Sequence, residues 1–262
     1  MTELREDLLG FIASPADDRF DGLALRVAQR QAETIEAYGR WVDHRGGFAH
    51  WTEVPWVPTE AFRRFDLCSE SPQATDTIFE TSGTTTGSPG RRRAPDMSLY
   101  EAAMDRPFVD AVLNGDASRK AWISLIPEST ELPTSSLSHM VSSLASRYAD
   151  LERSSWHLRR EGLDVERAAE ALRATEGPTV VLATSFALLN LFDAWQGEDA
   201  RLAEGRRLAL VQDHLDVALA EVRSQPPDDG AELGRFVRNY TSFWILPRAH
   251  LLGQRRRDPL YV

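Results

Sequence analysis

Phe79-Glu80-Thr81-Ser82-Gly83-Thr84-Thr85-Thr86-Gly87-Ser88-Pro89-Gly90-Arg91-Arg92-Arg93 is the stretch on which the reading of this chain turns. Gly83, Gly87 and Gly90 remove side-chain bulk where a backbone must come close to an anion. Thr81, Ser82, Thr84, Thr85 and Thr86 place five hydroxyls within six positions, all able to donate to phosphate oxygens. Successive backbone N–H groups in such a turn form an anion nest. Arg91, Arg92 and Arg93 add positive charge where the loop ends and can grip phosphate bidentately. No Gly-Lys-Ser/Thr follows at Walker A spacing, and the glycines do not form the Gly-x-Gly-x-x-Gly of a dinucleotide fold. A flexible Ser/Thr/Gly linker has similar composition. A strand-like run, Asp76–Glu80, leads into this loop and a helix-forming segment follows its arginines, which is not a linker's setting.

Outward from the loop, hydrophobic spacing predicts alternating helices and strands. Leu4, Leu8, Leu9 and Ile12 share a helical face. A longer helical pattern runs through Phe20, Leu23, Val27, Ile35, Tyr38 and Trp41 to Gly46-Gly47, and is expected to dock on the core. Pro55 and Pro58 block regular helix, after which Thr59 can cap a short helix carrying Phe62 and Phe65. Ala121–Ile126 reads as a strand, Ser135–Tyr148 as a helix and Val165–Thr175 as an amphipathic helix. Thr179–Ala183 reads as a β-branched strand. Thr184 or Ser185 can cap a helix over Phe186–Trp195, and Arg207–Val211 reads as the next strand. Helix and strand in alternation are the grammar of an α/β sheet with crossover helices. Pro226-Pro227-Asp228-Asp229-Gly230 marks a turn-rich break.

The bulk numbers set limits on function. The chain has 262 residues, 42% of them hydrophobic, enough for one sizeable core. Its 30 basic and 40 acidic residues give a formal charge of −10, unsuited to broad binding of nucleic acid or anionic membrane. One cysteine, Cys68, allows no internal disulfide and fits a reducing cytoplasm. The first residues are acidic with no apolar leader, and no apolar run is long enough to span a bilayer. Cytoplasmic location, without nucleic acid or a membrane span, is the expectation.

Thr81–Pro89 resembles the Thr-Ser-Gly-Thr-Thr-Gly-x-Pro-Lys signature of the adenylate-forming superfamily of acyl-CoA synthetases, peptide-synthetase adenylation domains and firefly-type luciferases. This copy carries one additional threonine, and Gly90 followed by Arg91 replaces the terminal lysine. Val54-Pro55-Trp56-Val57-Pro58-Thr59-Glu60-Ala61-Phe62-Arg63 and Pro133-Thr134-Ser135-Ser136-Leu137-Ser138-His139-Met140 are similar to segments of one branch. That branch is the LuxE-type acyl-protein synthetases of bacterial fatty-acid reductase systems. With Thr179–Leu189, the resemblance covers about residues 1–210. It implies an α/β fold of mixed sheets flanked by helices, the large N-terminal domain of that superfamily. The implied organisation is a 1–211 domain and a divergent 212–262 tail, with the small C-terminal domain absent.

The implied activity is ATP-dependent activation of a fatty or related carboxylic acid as acyl-adenylate, with Mg2+. Transfer to a protein thiol follows, the acceptor being a partner such as a fatty-acid reductase. Thr81, Ser82, Gly83, Thr84, Thr85, Thr86 and Gly87 would hold the phosphates, with Arg91, Arg92 and Arg93 offsetting their charge. Ser135, Ser136 and His139 would form a polar cluster near the acyl or phosphate site. Past Val211 the family's Gly-Gly turn, aromatic-Gly-x-Thr-Glu segment, ribose-binding aspartate and catalytic lysine have no counterpart. The single lysine, Lys120, does not match the catalytic position. The tail therefore reads as divergent or out of frame, and no catalytic or metal-binding residue is assigned. An inactive nucleotide-binding remnant and a ligase using coenzyme A or another small acceptor are the alternatives. Cys68 reads as a small apolar filler, His157 and His214 as isolated, and Trp41, Trp51 and Trp56 as core or lid aromatics.

Overall fold

The computed structural model describes residues 2–81, 89–194, 207–211 and 217–221, and within them the chain is mixed α/β. It divides into two units. The first comprises residues 1–119 and 127–149; the second comprises 120–126 and 150–262.

In the first unit, α1 (Thr2–Ala13), α2 (Asp17–Thr34) and α3 (Glu36–His44) come first. The apolar run expected to be continuous from Phe20 to Trp41 is broken at Ile35, whose backbone is extended (φ −103°, ψ 95°). The elbow depends on a glycine. A Cβ on Gly39 would lie 2.5 Å from the Ala32 carbonyl oxygen, so α3 can fold back on α2 this tightly only without a side chain there. Ile35, Tyr38 and Val42 form a buried cluster with Ala32, Phe48, Val57 and Leu67 against it. Gly46 and Gly47 end α3 with positive φ, and the Gly47 N–H donates back to the Val42 carbonyl. The segment after it contains two 3-10 turns, Trp51–Glu53 and Thr59–Arg63; the second replaces the expected short helix and leaves Phe65 outside. β1 (Thr77–Glu80) and β2 (Arg91–Ala94) then form an antiparallel hairpin, followed by α4 (Ser98–Ala111). α5 (Ser136–Tyr148) completes the unit, its N-terminus capped by Ser135, whose Oγ accepts from the Ser138 N–H at 3.1 Å.

The second unit is a five-stranded sheet in the order β4-β3-β7-β8-β9. Its strands are β3 (Ala121–Leu125), β4 (Ser155–Trp156), β7 (Thr179–Ala183), β8 (Arg207–Val211) and β9 (Val217–Glu221). All neighbours are parallel except β8 and β9. Every residue of β3 and β7 is buried, as expected for continuous apolar strands inside a parallel sheet. Between the strands lie the small hairpin of β5 (Leu158–Arg159) and β6 (Gly162–Leu163), then α6 (Val165–Ala174) and α7 (Ser185–Ala194). Ala168, Ala169 and Leu172 of α6 and Ala187, Leu188 and Leu191 of α7 pack on Ile123, Leu125, Val181 and Ala183. Asp164 caps α6, and Thr184 accepts from the Ala187 N–H at 3.2 Å to cap α7. No described helix is long and apolar enough to cross a membrane.

His157, expected to be isolated, is buried and shares a 2.8 Å hydrogen bond with the Ser155 hydroxyl. Burial pushes its imidazole below the ordinary value of 6.5; Asp164 opposes that shift, while Arg167 and Arg159 add to it. The unfolded chain therefore binds a proton here at higher pH than the folded one. Stability from this group is complete above pH 6.5 and falls as pH drops toward the depressed folded value. The expected slope is at most one proton, about 1.4 kcal/mol per pH unit, and His157→Gln should remove it. Urea denaturation of both proteins between pH 7.5 and 5 would measure this.

Candidate functional site

The hairpin β1–β2 carries the loop. Its register pairs Glu80 with Arg91, Phe79 with Arg92 and Ile78 with Arg93. Residues opposite one another share a face and successive residues alternate. Arg92 therefore lies on the face of Phe79, whereas Arg91 and Arg93 lie on the other. The three arginines consequently have three fates. Arg91 is exposed, with Nε 3.2 Å from Glu80 across the hairpin. Arg92 is exposed and forms no ion pair among the described residues. Arg93 is turned inward, its side chain only 9% exposed, and its donors are taken up by the protein.

Arg93 donates from Nη1 to Asp76 at 2.6 Å, from Nη2 and Nε to Asp66 at 2.8 and 3.0 Å, and from Nη2 to the Glu70 carbonyl. The Gln73 amide and then Arg93 hold the Asp76 carboxyl below the ordinary carboxylate range. Asp66 first, then Asp76, raises the Arg93 guanidinium above its own. This corrects the expectation that Arg93 offsets ligand charge. Its donors are committed, and it ties the segment around Asp66–Asp76 to β2.

The loop is closed at its foot by two hydrogen bonds. Thr81 N–H donates to the Gly90 carbonyl at 2.9 Å, and Gly90 N–H donates to Thr81 Oγ1 at 2.8 Å. Gly90 is buried, and a Cβ there would meet Thr81, Phe62 and Arg63 at 3.4 Å. Ser82, Gly83, Thr84, Thr85, Thr86 and Gly87 lie outside the described residues.

Ser135, Ser136 and His139 come to the same end of the hairpin. The Glu80 N–H donates to the Thr134 carbonyl at 2.8 Å, which holds the start of α5 beside the loop's foot. Ser135 is occupied as the helix cap. The Ser136 carbonyl accepts from the Tyr100 hydroxyl at 3.0 Å. The His139 ring packs against Phe79 and Tyr100, with centroids 5.7 and 5.9 Å away. Its Nε2 is 3.5 Å from Glu101 Oε1 and makes no hydrogen bond among the described residues. Glu101 also meets Arg147, which reaches Asp105 at 2.7 Å and so links α4 to α5. Burial pushes the Tyr100 hydroxyl up, and the charge of Arg92 partly offsets this.

The result is a half-buried polar and aromatic patch at the loop's foot: Phe79, Arg92, Tyr100, Glu101 and His139. Phe79, Tyr100 and Glu101 were not singled out from sequence, because α4 carries no motif and a strand phenylalanine looks like core. The arrangement offers a guanidinium without an ion-pair partner among the described residues, closed loop ends and a cluster of tilted and edge-on rings, which suit a polyphosphate with an apolar neighbour. Among the described residues no group of His, Cys, Asp and Glu could hold a metal ion. Cys68 is half-buried near Arg93. His214 lies outside the described residues.

Comparison of the chain with protein-family models, with curated proteins and with solved structures finds no match.

Two substitutions test the loop's foot. Thr81→Val leaves the buried Gly90 N–H without its acceptor and should cost about 1–3 kcal/mol in urea denaturation, while Thr81→Ser should restore most of it. Arg93→Met strands Asp76, whose side chain is 2% exposed. It should lower the melting temperature well below that of Arg91→Met, which should stay within about 0.5 kcal/mol of the parent.

Proposed function

We propose that this chain binds ATP at the Thr81–Gly90 loop and activates a carboxylic acid as its acyl-adenylate. The observation that carries the reading is the hairpin foot. A loop rich in glycine and hydroxyls is closed between Thr81 and Gly90, with Arg92 beside it and free of carboxylates. The resemblance of Thr81–Pro89, of residues 54–63 and of residues 133–140 to LuxE-type enzymes supports the same chemistry. It also supports the fold of an adenylate-forming N-terminal domain.

In that reaction a carboxylate oxygen attacks the α-phosphorus of ATP. The new C–O–P bond forms as the bond to the β-phosphate bridging oxygen breaks, and pyrophosphate leaves. The acid supplies the nucleophile, so the protein's work is positioning and charge neutralisation. Ser82–Gly87 hydroxyls and amides would hold the β- and γ-phosphates, and Arg92 would offset their charge. Arg91, shared with Glu80, contributes less. Tyr100 and His139 would border the site. Mg2+ would arrive with the nucleotide and supply further charge neutralisation; among the described residues no group of His, Cys, Asp and Glu could hold it. A thiol of an acceptor protein is the proposed second substrate, with coenzyme A or another small acceptor as the alternative.

A second reading has its own observation. The only lysine is Lys120, on the strand side of a loop rather than at the position the resemblance requires. A chain that binds ATP without turning it over fits that composition.

Acid-dependent ATP–pyrophosphate exchange tests the proposal, run with short, aromatic and long-chain acids. One acid should stimulate exchange. Gly83→Val should abolish it, and Arg92→Met should lower it at least tenfold without changing the melting temperature. ATP binding without exchange would establish the second reading. A folded chain that binds no ATP at millimolar concentration would refute both.

A further inference from the structure

The first unit holds a second feature that the loop does not use. α3 and the segment 55–67 enclose an open apolar groove of about 500 Å3. Its walls are Trp41, Trp56, Val57, Phe65 and Leu67. Two hydrogen bonds tie these walls together. Trp41 Nε1 donates to the Trp56 carbonyl at 3.2 Å, and the Tyr38 hydroxyl donates to the Pro55 carbonyl at 3.1 Å. These two bonds pin the wall from Pro55 to Trp56 against α3, so the groove is formed in advance of any ligand. Trp41, Trp51 and Trp56, expected to be core or lid, are exposed rather than core, Trp56 to 74%, and Phe65 beside them is 47% exposed. An apolar cleft of this size with a few convergent polar groups has the character of a small-molecule site.

The polar group here is Arg45. Its guanidinium lies 5.5 Å over the Trp41 ring, lines the groove and pairs with no carboxylate among the described residues. Arg40, also on the lining, is shared with Glu36. In a chain of net charge −10, a cation left at the rim of an apolar cleft specifies its complement. We propose that this groove binds a monocarboxylate with an apolar body, the body between Trp41 and Trp56 and the carboxylate on Arg45. The site needs no nucleotide and is independent of the activity proposed for the loop. It is also not remote from the loop. Ala61 and Phe65 line the groove, while Phe62 and Arg63 of the same turn touch the position of Gly90.

The test is titration of the full chain with sodium decanoate, 4-phenylbutyrate, decanol and decyltrimethylammonium, without ATP. Calorimetry and tryptophan fluorescence supply the readout, at concentrations below micelle formation. At least one of the two acids should bind, about tenfold more tightly than decanol, with the ammonium weaker still. Decanoate ahead of phenylbutyrate would identify an aliphatic body, and the reverse an aromatic one; both orders support the site. Arg45→Gln should erase the preference for acid over alcohol while leaving decanol binding unchanged. Trp56→Ala, at an exposed position that does not threaten folding, should weaken both. Equal binding of decanoate and decanol, an acid preference that survives Arg45→Gln, or no binding of either acid at millimolar concentration would overturn the proposal. Because ATP is absent, none of these results bears on pyrophosphate exchange, and failure of exchange leaves this titration intact.

Discussion

Arg93 is the tether of the first unit. A guanidinium 9% exposed is tolerable only because two carboxylates and a carbonyl take up its donors. The partners come from Asp66, Glu70 and Asp76, a stretch without helix that leads into β1. With Arg93 fixed inward, the pleat leaves its neighbours no choice. Arg91 sits on the same face nearer the loop and meets Glu80, and Arg92 is sent to the opposite face beside Phe79 and Tyr100. The aromatic patch, the free cation and the closed foot of the loop all follow from that one orientation.

The second unit rests on a different constraint. Its central strands are buried along their whole length, and small residues on α6 and α7 let two helices approach the sheet closely. Hydrophobic burial without direction supplies the driving force, and the caps at Asp164 and Thr184 settle where each helix begins. Ser155 and His157 interrupt this pattern with a polar pair, half-buried on the edge strand and buried just beyond it.

The elements that sequence made legible are those with a long, regular period. Ser136–Tyr148, Val165–Ala174, Ala121–Leu125 and Thr179–Ala183 fall within a residue or so of expectation, because burial of one face or of a whole strand writes itself into spacing. β4, β5 and β6 are two residues each, shorter than any window in which a period can be seen. The elbow at Ile35 was hidden because apolar residues continue through it. Its cause is a backbone contact between Gly39 and Ala32, which side-chain patterning does not register. At the candidate site, the loop stood out by composition and the Ser135–His139 segment by the resemblance of residues 133–140. The differing fates of Arg91, Arg92 and Arg93 did not, since only strand alternation and distant acids separate three identical residues. The groove escaped for a similar reason: prolines at 55 and 58 erase periodicity where its wall is built.

The closed foot of the hairpin also bears on how this chain can change length. Thr81 and Gly90 are joined by both of their hydrogen bonds, so residues added or removed between them do not alter which strand residue faces which. A single-residue insertion or deletion within Arg91–Ala94 is another matter. It would turn the strand over, aim the tethering guanidinium at the aromatic patch and leave Asp76 facing an alanine or an arginine out of place. The loop is thus free to drift by indels, whereas the four residues that follow it are not.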